Sequence, residues 1–181
     1  MTYFKRHIDD KLQEWKESTR RKPLLIRGAR QVGKSTAVRE LGKTFKYFLE
    51  INLEKQPDFR KQFPENIDVK RTCENLSGTT GIPIIPGETL LFIDEIQTCK
   101  EAIMSLRYFK EDYPELHVIA AGSLLEFALE ELPSFGVGRI RSIYMYPFSF
   151  DEFLMAQGLD LTVSFKKKAH AEQPLPELAH K

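Results

Sequence analysis

The chain has 181 residues, enough for one domain and few for two, and 41% of them are hydrophobic, enough to build a core. Its 27 basic and 26 acidic side chains leave a net charge of +1, so charge provides no overall attraction to nucleic acid or to an anionic membrane. Two cysteines, no recognisable signal peptide and no long apolar run predict a cytoplasmic protein with no membrane partner.

The first predicted element is an amphipathic helix over residues 3–17. Four apolar side chains recur at helical spacing with charged residues between them: Phe4, Ile8, Leu12 and Trp15. The pattern indicates a helix that packs one face on the edge of the domain.

A short apolar run over residues 23–27 predicts a buried strand that leads into a glycine-containing loop. Residues 28–35 read Gly-Ala-Arg-Gln-Val-Gly-Lys-Ser and match G-x-x-x-x-G-K-[ST], the Walker A phosphate-binding loop. Gly28 lets the chain turn sharply, and Gly33 lets the backbone approach a phosphate without an intervening Cβ. A predicted helix over residues 33–41 adds the positive end of its dipole.

This loop predicts a site for a nucleoside polyphosphate. We expect the Lys34 ammonium to lie against the β- and γ-phosphates and the Ser35 hydroxyl to bind Mg²⁺. The N-terminal helix and the loop to Pro23 have two open interpretations, since they either only pack on the domain edge or also cover the nucleotide base. The residues expected to bind the phosphates are Gly28, Ala29, Arg30, Gln31, Val32, Gly33, Lys34, Ser35 and Thr36.

Residues 47–53 predict a second strand, and two short helices are expected at 57–63 and 67–76. Residues 89–95 read Thr-Leu-Leu-Phe-Ile-Asp-Glu, which indicates a strand buried on both faces, as in a parallel sheet. Two carboxylates follow at its carboxyl end, where ligands bind in an open α/β sheet. This is the pattern of a Walker B element.

We expect Asp94 to orient Mg²⁺ and Glu95 to polarise the attacking water. Gln97 either contacts that water or the γ-phosphate, or is an ordinary loop amide, and the second interpretation is favoured. A further buried strand is predicted at 116–121, and Ser123 follows it. Ser123 is a candidate sensor of the γ-phosphate and equally a helix N-cap.

Residues 140–146 predict a fifth strand, and Ser149 to Glu152 form a capping box before a helix over 150–157. We expect the domain to cover residues 1–157. Residues 158–181, with three consecutive lysines and two prolines, are expected to be a linker or disordered tail. Strands alternating with helices predict an α/β fold: a three-layer αβα P-loop NTPase domain with a mostly parallel five-stranded sheet.

Four segments resemble one protein family: Arg27 to Ser35, Leu91 to Gln97, Ala121 to Ser123 and Pro147 to Phe153. They are similar to the AAA-type ATPase domain of prokaryotic ATP-binding proteins, related to the archaeal ATPases and the signalling NTPases with numerous domains. The resemblance implies ATP with Mg²⁺, a sensor strand between the two Walker strands, Glu95 as the catalytic carboxylate and Ser123 as the sensor.

The resemblance also implies a Gly-Arg pair before the fifth strand, present here as Gly138-Arg139. Arg139 is a candidate arginine finger or sensor, with a surface arginine as an equal alternative. Family members commonly carry a further C-terminal portion, so we expect a truncated chain whose output depends on a missing domain or a protein partner. The oligomeric state and a role for nucleic acid stay open.

These observations predict an ATPase in which hydrolysis of ATP to ADP and phosphate drives a conformational switch. ATP is favoured over GTP because the chain contains neither Asn-Lys-x-Asp nor Thr-Lys-x-Asp. Two alternatives remain: a nucleotide-dependent binding module with little turnover and, less favoured, a small-molecule kinase. The kinase interpretation would leave Glu95 without an obvious role.

Overall fold

The computed structural model describes residues 3–123, 125 and 138–159. Its strands are β1 (Leu24–Arg27), β2 (Tyr47–Asn52), β3 (Thr89–Asp94), β4 (His117–Ala121) and β5 (Arg141–Tyr144). Its α-helices are α1 (His7–Glu17), α2 (Lys34–Gly42), α3 (Val69–Thr80), α4 (Lys100–Asp112) and α5 (Phe150–Ala156). Two 3₁₀ turns lie at Pro57–Gln62 and Ile96–Thr98.

The five strands form one sheet in the order β2-β3-β4-β1-β5, and every neighbouring pair is parallel. The predicted fold class is therefore confirmed, and β4 lies between the two Walker strands as expected. Because all strands run the same way, their carboxyl ends meet at one edge of the sheet. The Walker A loop follows β1 and the Asp-Glu pair ends β3, so both belong to this edge.

Helices cover both faces of the sheet because successive residues of each buried strand point to opposite sides. One face buries Leu25, Leu91, Ile93, Val118 and Ala120 against α3 and α4. The other face buries Leu24, Ile26, Leu90, Phe92, Ile119 and Ala121 against α1 and α2. The result is the three-layer arrangement, with the sheet as the shared middle layer.

Three predicted helices differ in detail from the structure. The N-terminal helix, expected over 3–17, begins at His7, so Phe4 precedes it and is 49% exposed. The helix expected over 57–63 is a 3₁₀ turn that begins at Pro57. The helix expected over 67–76 begins one residue after Asp68, whose carboxylate accepts hydrogen bonds from two backbone amides. It continues through Thr80 and ends at Gly81, whose φ of 72° only glycine adopts readily.

The predicted tail lies outside the described residues from residue 160 onward. Among the helices that are described, none has both the length and the apolar character needed to span a bilayer.

Candidate functional site

The Walker A loop begins where β1 ends, and close backbone contacts determine its shape. Gly28 has a φ of 144°, and a Cβ there would lie 2.2 Å from the Met145 carbonyl oxygen. Gly33 precedes α2 with a φ of 99°, and Gln31 between them has a φ of 62°. At Gly28 both the positive φ and the backbone clash require glycine, whereas at Gly33 the positive φ alone favours it.

Lys34 is buried at the first position of α2, with 6% of its surface exposed. Its ammonium donates hydrogen bonds to the carbonyl oxygens of Gly28 at 2.9 Å and Ala29 at 2.7 Å. Burial lowers the pKa of Lys34, and the nearby Glu95 and Asp94 carboxylates oppose that shift. The Lys34 ammonium thus lies inside the loop.

Asp94, at the end of β3, contacts both the Walker A helix and the neighbouring strand. Its Oδ2 accepts hydrogen bonds from the Ser35 hydroxyl at 2.9 Å and from the Asn52 side-chain amide at 3.0 Å. Its Oδ1 is buried and has no hydrogen-bond partner among the described residues. Burial raises the pKa of the Asp94 carboxyl, and the bonds from Ser35 and Asn52 oppose the shift.

These oxygens fit a hard divalent cation. Mg²⁺ prefers carboxylate and hydroxyl oxygens and keeps several of its waters, so a carboxylate with one oxygen free beside a hydroxyl is a suitable pair of ligands. Ser35 and Asp94 are the residues that could hold it.

Glu95 follows β3 with a φ of 52°, an uncommon conformation for a side chain of its size. Its Oε2 accepts a hydrogen bond of 2.6 Å from the Gln97 side-chain amide. The other end of that amide, Gln97 Oε1, is buried and has no partner among the described residues. Gln97 therefore contacts Glu95 and presents an unpaired acceptor next to Gly122.

Ser123 lies beyond the carboxyl end of β4, the strand between β1 and β3, and is 1% exposed. The fold therefore brings it to the same edge of the sheet as the Walker A loop and Glu95. Its predicted alternative role, as the cap of a following helix, involves residues that are mostly outside the described part of the chain.

Arg139 does not reach the site of its own chain. It precedes β5, whose first residue, Arg141, is paired with Leu24 at the amino end of β1. That is the opposite edge of the sheet from the Walker A loop. The Arg139 guanidinium forms an ion pair with Glu111 near the end of α4. This separation follows from the parallel pairing of β5 with β1, which puts the residues before β5 at the amino edge of the sheet.

Two parts of the site were not predicted. Asn52 ends β2 and is paired with Asp94 in the sheet register, which brings its amide to the carboxylate. In the sequence, the only indication of this contact is a polar residue near the end of the predicted second strand. The structure also has a cavity of about 240 Å³ beside the Walker A loop, lined by Tyr3, Phe4, Arg6, Gly33, Thr36, Glu40, Met145 and Phe148. The residues before α1 therefore border the loop.

Comparison with known families agrees with this geometry. A family model described as an AAA domain (AAA_14) matches residues 20–154, a range that includes the Walker A loop, the Asp-Glu pair and most of α5. No curated protein matches the chain. Because the family match covers well over half of the 181 residues and the sheet has the expected order, the chain belongs to this AAA-type P-loop ATPase family.

Proposed function

We propose that this chain binds ATP with Mg²⁺ and hydrolyses it to ADP and phosphate. One observation carries the proposal: Ser35 of the Walker A helix donates a hydrogen bond to Asp94 of β3, although 59 residues separate them. The two motifs that a nucleotide-hydrolysing site needs are therefore in direct contact. Membership of the family supports nucleotide binding, and the motifs extend the proposal to hydrolysis.

Each residue has a role that its position supports. The amides from Gly28 to Thr36 and the Lys34 ammonium bind the phosphates. Ser35 and Asp94 hold Mg²⁺, which when bound would neutralise charge on the β- and γ-phosphates. Glu95 accepts a proton from water as the water oxygen attacks the γ-phosphorus and the bond to the β-γ bridging oxygen breaks.

The cavity beside Gly33 and Thr36 is the proposed location of the base. Its aromatic side chains, Tyr3, Phe4 and Phe148, offer stacking surfaces. This supports the interpretation in which the N-terminal segment covers the nucleotide. The choice of ATP rests on the absence of a guanine-reading Asn-Lys-x-Asp or Thr-Lys-x-Asp segment.

A binding module with little turnover is the second candidate. One observation favours it: Arg139 lies at the opposite edge of the sheet from the Walker A loop. Faster hydrolysis would then need an arginine from another subunit or from a partner. A cytoplasmic location and a C-terminal domain or protein partner that responds to the switch stay predictions.

Calorimetric titration of ATP–Mg²⁺ tests the loop. The wild type is expected to bind, and Lys34→Ala should bind at least about 100-fold more weakly because it loses a buried charge-assisted contact to the phosphates. Lys61→Ala, which removes an exposed lysine paired with Asp58, is the control and should bind like the wild type. Equal affinity of Lys34→Ala and the wild type would refute the assignment of the loop.

Phosphate release tests catalysis. Glu95→Gln should retain ATP binding and reduce phosphate release by about 10²-fold or more, because the amide cannot accept the proton. Turnover at the wild-type rate in this variant would mean that another residue is the base. Wild-type binding without release supports the binding module. Transfer of labelled γ-phosphate to a metabolite instead of water would identify a kinase.

A further inference from the structure

Arg6 joins three parts of the molecule that are far apart in the sequence. It immediately precedes α1, and its Nη1 donates a hydrogen bond of 3.1 Å to the Val32 carbonyl oxygen in the Walker A loop. Its Nη2 donates a hydrogen bond of 3.1 Å to the carbonyl oxygen of Tyr146, between β5 and α5. One guanidinium group therefore connects the start of α1, the loop and the segment that leads into α5.

Glu152 of α5 contacts the same guanidinium. Its Oε1 lies 2.9 Å from Arg6 Nε, a close ion pair in which the N–H is not aligned as a hydrogen bond. Oε1 also accepts a bond of 2.8 Å from the His7 amide, and Oε2 accepts one of 2.8 Å from the Ser149 amide. The Ser149 hydroxyl accepts from the Glu152 amide, which completes the predicted capping box. The Glu152 carboxylate therefore accepts hydrogen bonds from the start of α1 and from the N-cap of α5.

The ion pair is almost fully buried, with 10% of the Arg6 side chain and 5% of the Glu152 side chain exposed. Burial by itself would raise the pKa of Glu152, but Arg6 and the amides of Ser149 and His7 lower it to about 2. A buried ion pair is weak support for stability, because desolvation offsets much of the attraction. Its contact with the Walker A loop therefore suggests a second role.

We propose, on the basis of the ATP binding proposed above, that Arg6 is a positioning residue for the Walker A loop and that its ion pair with Glu152 links ATP binding to the placement of α5. The physical reason lies in the planar peptide group between Val32 and Gly33. Because Arg6 holds the carbonyl of that group, the Gly33 N–H points the opposite way. Gly33 caps α2, where backbone N–H groups turn toward a polyphosphate.

Arg6 and Met145 both lie next to Gly33. A Cβ at Gly33 would lie 3.6 Å from Arg6 Nη1 and 3.4 Å from Met145 Cε. The Arg6 guanidinium group lies over the Phe148 ring, with 4.6 Å between the guanidinium carbon and the ring centroid. Coupling of this kind is reciprocal: if the ion pair favours the loop conformation that binds ATP, bound ATP favours the ion pair and holds α5 more firmly.

Two measurements on the full chain test the proposal. Calorimetry gives the Kd for ATP–Mg²⁺, and amide hydrogen exchange of residues 28–33 without nucleotide reports on the free loop. Arg6→Ala and Glu152→Gln should each raise the Kd roughly tenfold and speed exchange in the loop. The double variant should be little worse than Arg6→Ala, because both changes break one interaction. Arg6→Lys keeps the charge and should fall between the wild type and Arg6→Ala.

A matched control comes from the exposed ion pair of Lys46 and Glu88, 2.7 Å apart at the amino ends of β2 and β3. Lys46→Ala and Glu88→Gln should leave both measurements unchanged. Wild-type Kd and exchange in the Arg6 and Glu152 variants, or equal effects from the control pair, would overturn the proposal. If Arg6→Ala does not fold, the same two measurements on Arg6→Lys and Glu152→Gln test the proposal.

The two proposals fail in different ways. A wild type that binds no ATP contradicts the proposed function, while hydrogen exchange in the free protein still tests whether Arg6 positions the loop. A wild type that binds ATP with variants that bind equally well contradicts only the role of Arg6. In ATP-bound wild type, exchange in α5 should slow, and in Glu152→Gln this slowing should be lost.

Discussion

Gly28 and Gly122 both lie where a Cβ would overlap another atom, but the atoms that they meet differ. At Gly28 the Cβ would lie 2.2 Å from the backbone oxygen of Met145, and the φ of 144° disfavours any side chain. At Gly122 it would lie 2.3 Å from Oε1 of Gln97, the far end of a flexible side chain. Moving backbone atoms away costs more free energy than moving a side-chain amide. Substitution by alanine should therefore destabilise the protein more at Gly28 than at Gly122.

We predict that Gly28→Ala lowers the free energy of unfolding by about 3 kcal/mol or more, because it combines backbone strain with a backbone clash. Gly122→Ala should cost only about 1 kcal/mol but displace Gln97 from Glu95, so phosphate release should slow. Urea unfolding and a phosphate-release assay measure the two effects. The interpretation fails if both variants lose equal stability, or if Gly122→Ala turns over like the wild type.

At the scale of elements, His117 shows how α1 packs on the sheet. It begins β4, and its ring centroid lies 5.8 Å from that of Trp15 in α1 and 4.7 Å from that of Phe45 after α2. Burial, assisted by the Arg21 charge, lowers the pKa of His117 to about 4. The folded protein therefore holds a neutral imidazole at pH values where an unfolded chain would protonate it.

This shift makes stability depend on pH. Between the ordinary pKa of about 6.5 and the folded value of about 4, the unfolded chain binds more protons, so stability falls as the pH falls. From pH 7 to pH 4.5 the loss from this group should be about 2 kcal/mol, and His117→Gln should remove it. His7→Gln, at an exposed position, is the control. Parallel pH profiles of the unfolding free energy for wild type and His117→Gln would contradict this prediction.

For the whole molecule, the sheet separates two apolar clusters that stabilise it from opposite sides. Leu12 of α1 is 1% exposed in one cluster, and Leu106 of α4 is 0% exposed in the other. The strands contribute side chains to both clusters, so neither face can unfold while the other stays intact. We therefore expect one cooperative unfolding transition.

Leu12→Ala and Leu106→Ala should each lower the free energy of unfolding by about 2–5 kcal/mol, because each leaves a cavity in a packed core. Their effects should add to within about 0.5 kcal/mol in the double variant, since the sheet lies between the two sites. Urea denaturation followed by circular dichroism and by Trp15 fluorescence measures both. Separate transitions for the two probes, or strong non-additivity, would contradict the single cooperative unit.

The order and type of the elements could be predicted because each depends on neighbouring residues. The apolar run at 89–95, the periodic face of α1 and the two Walker patterns are continuous segments whose physics is local. These segments alone predicted an α/β fold and a loop with the Walker A pattern, followed by an acidic strand end. The family match over residues 20–154 agrees with that prediction.

The contacts between residues that are far apart in the sequence depend on the tertiary structure, including strand order and register. Strand register brings the Asn52 amide to Asp94 across 42 residues. The packing of α1 on the sheet brings the Arg6 guanidinium to the Tyr146 carbonyl across 140 residues. The pairing of β5 with β1 puts Arg139 at the edge of the sheet away from the Walker A loop. No local sequence pattern predicts these contacts, because which parallel strands become neighbours depends on packing between segments that are far apart in the sequence. The sequence alone therefore determined the motifs, and only the tertiary structure decided which side chains meet around them.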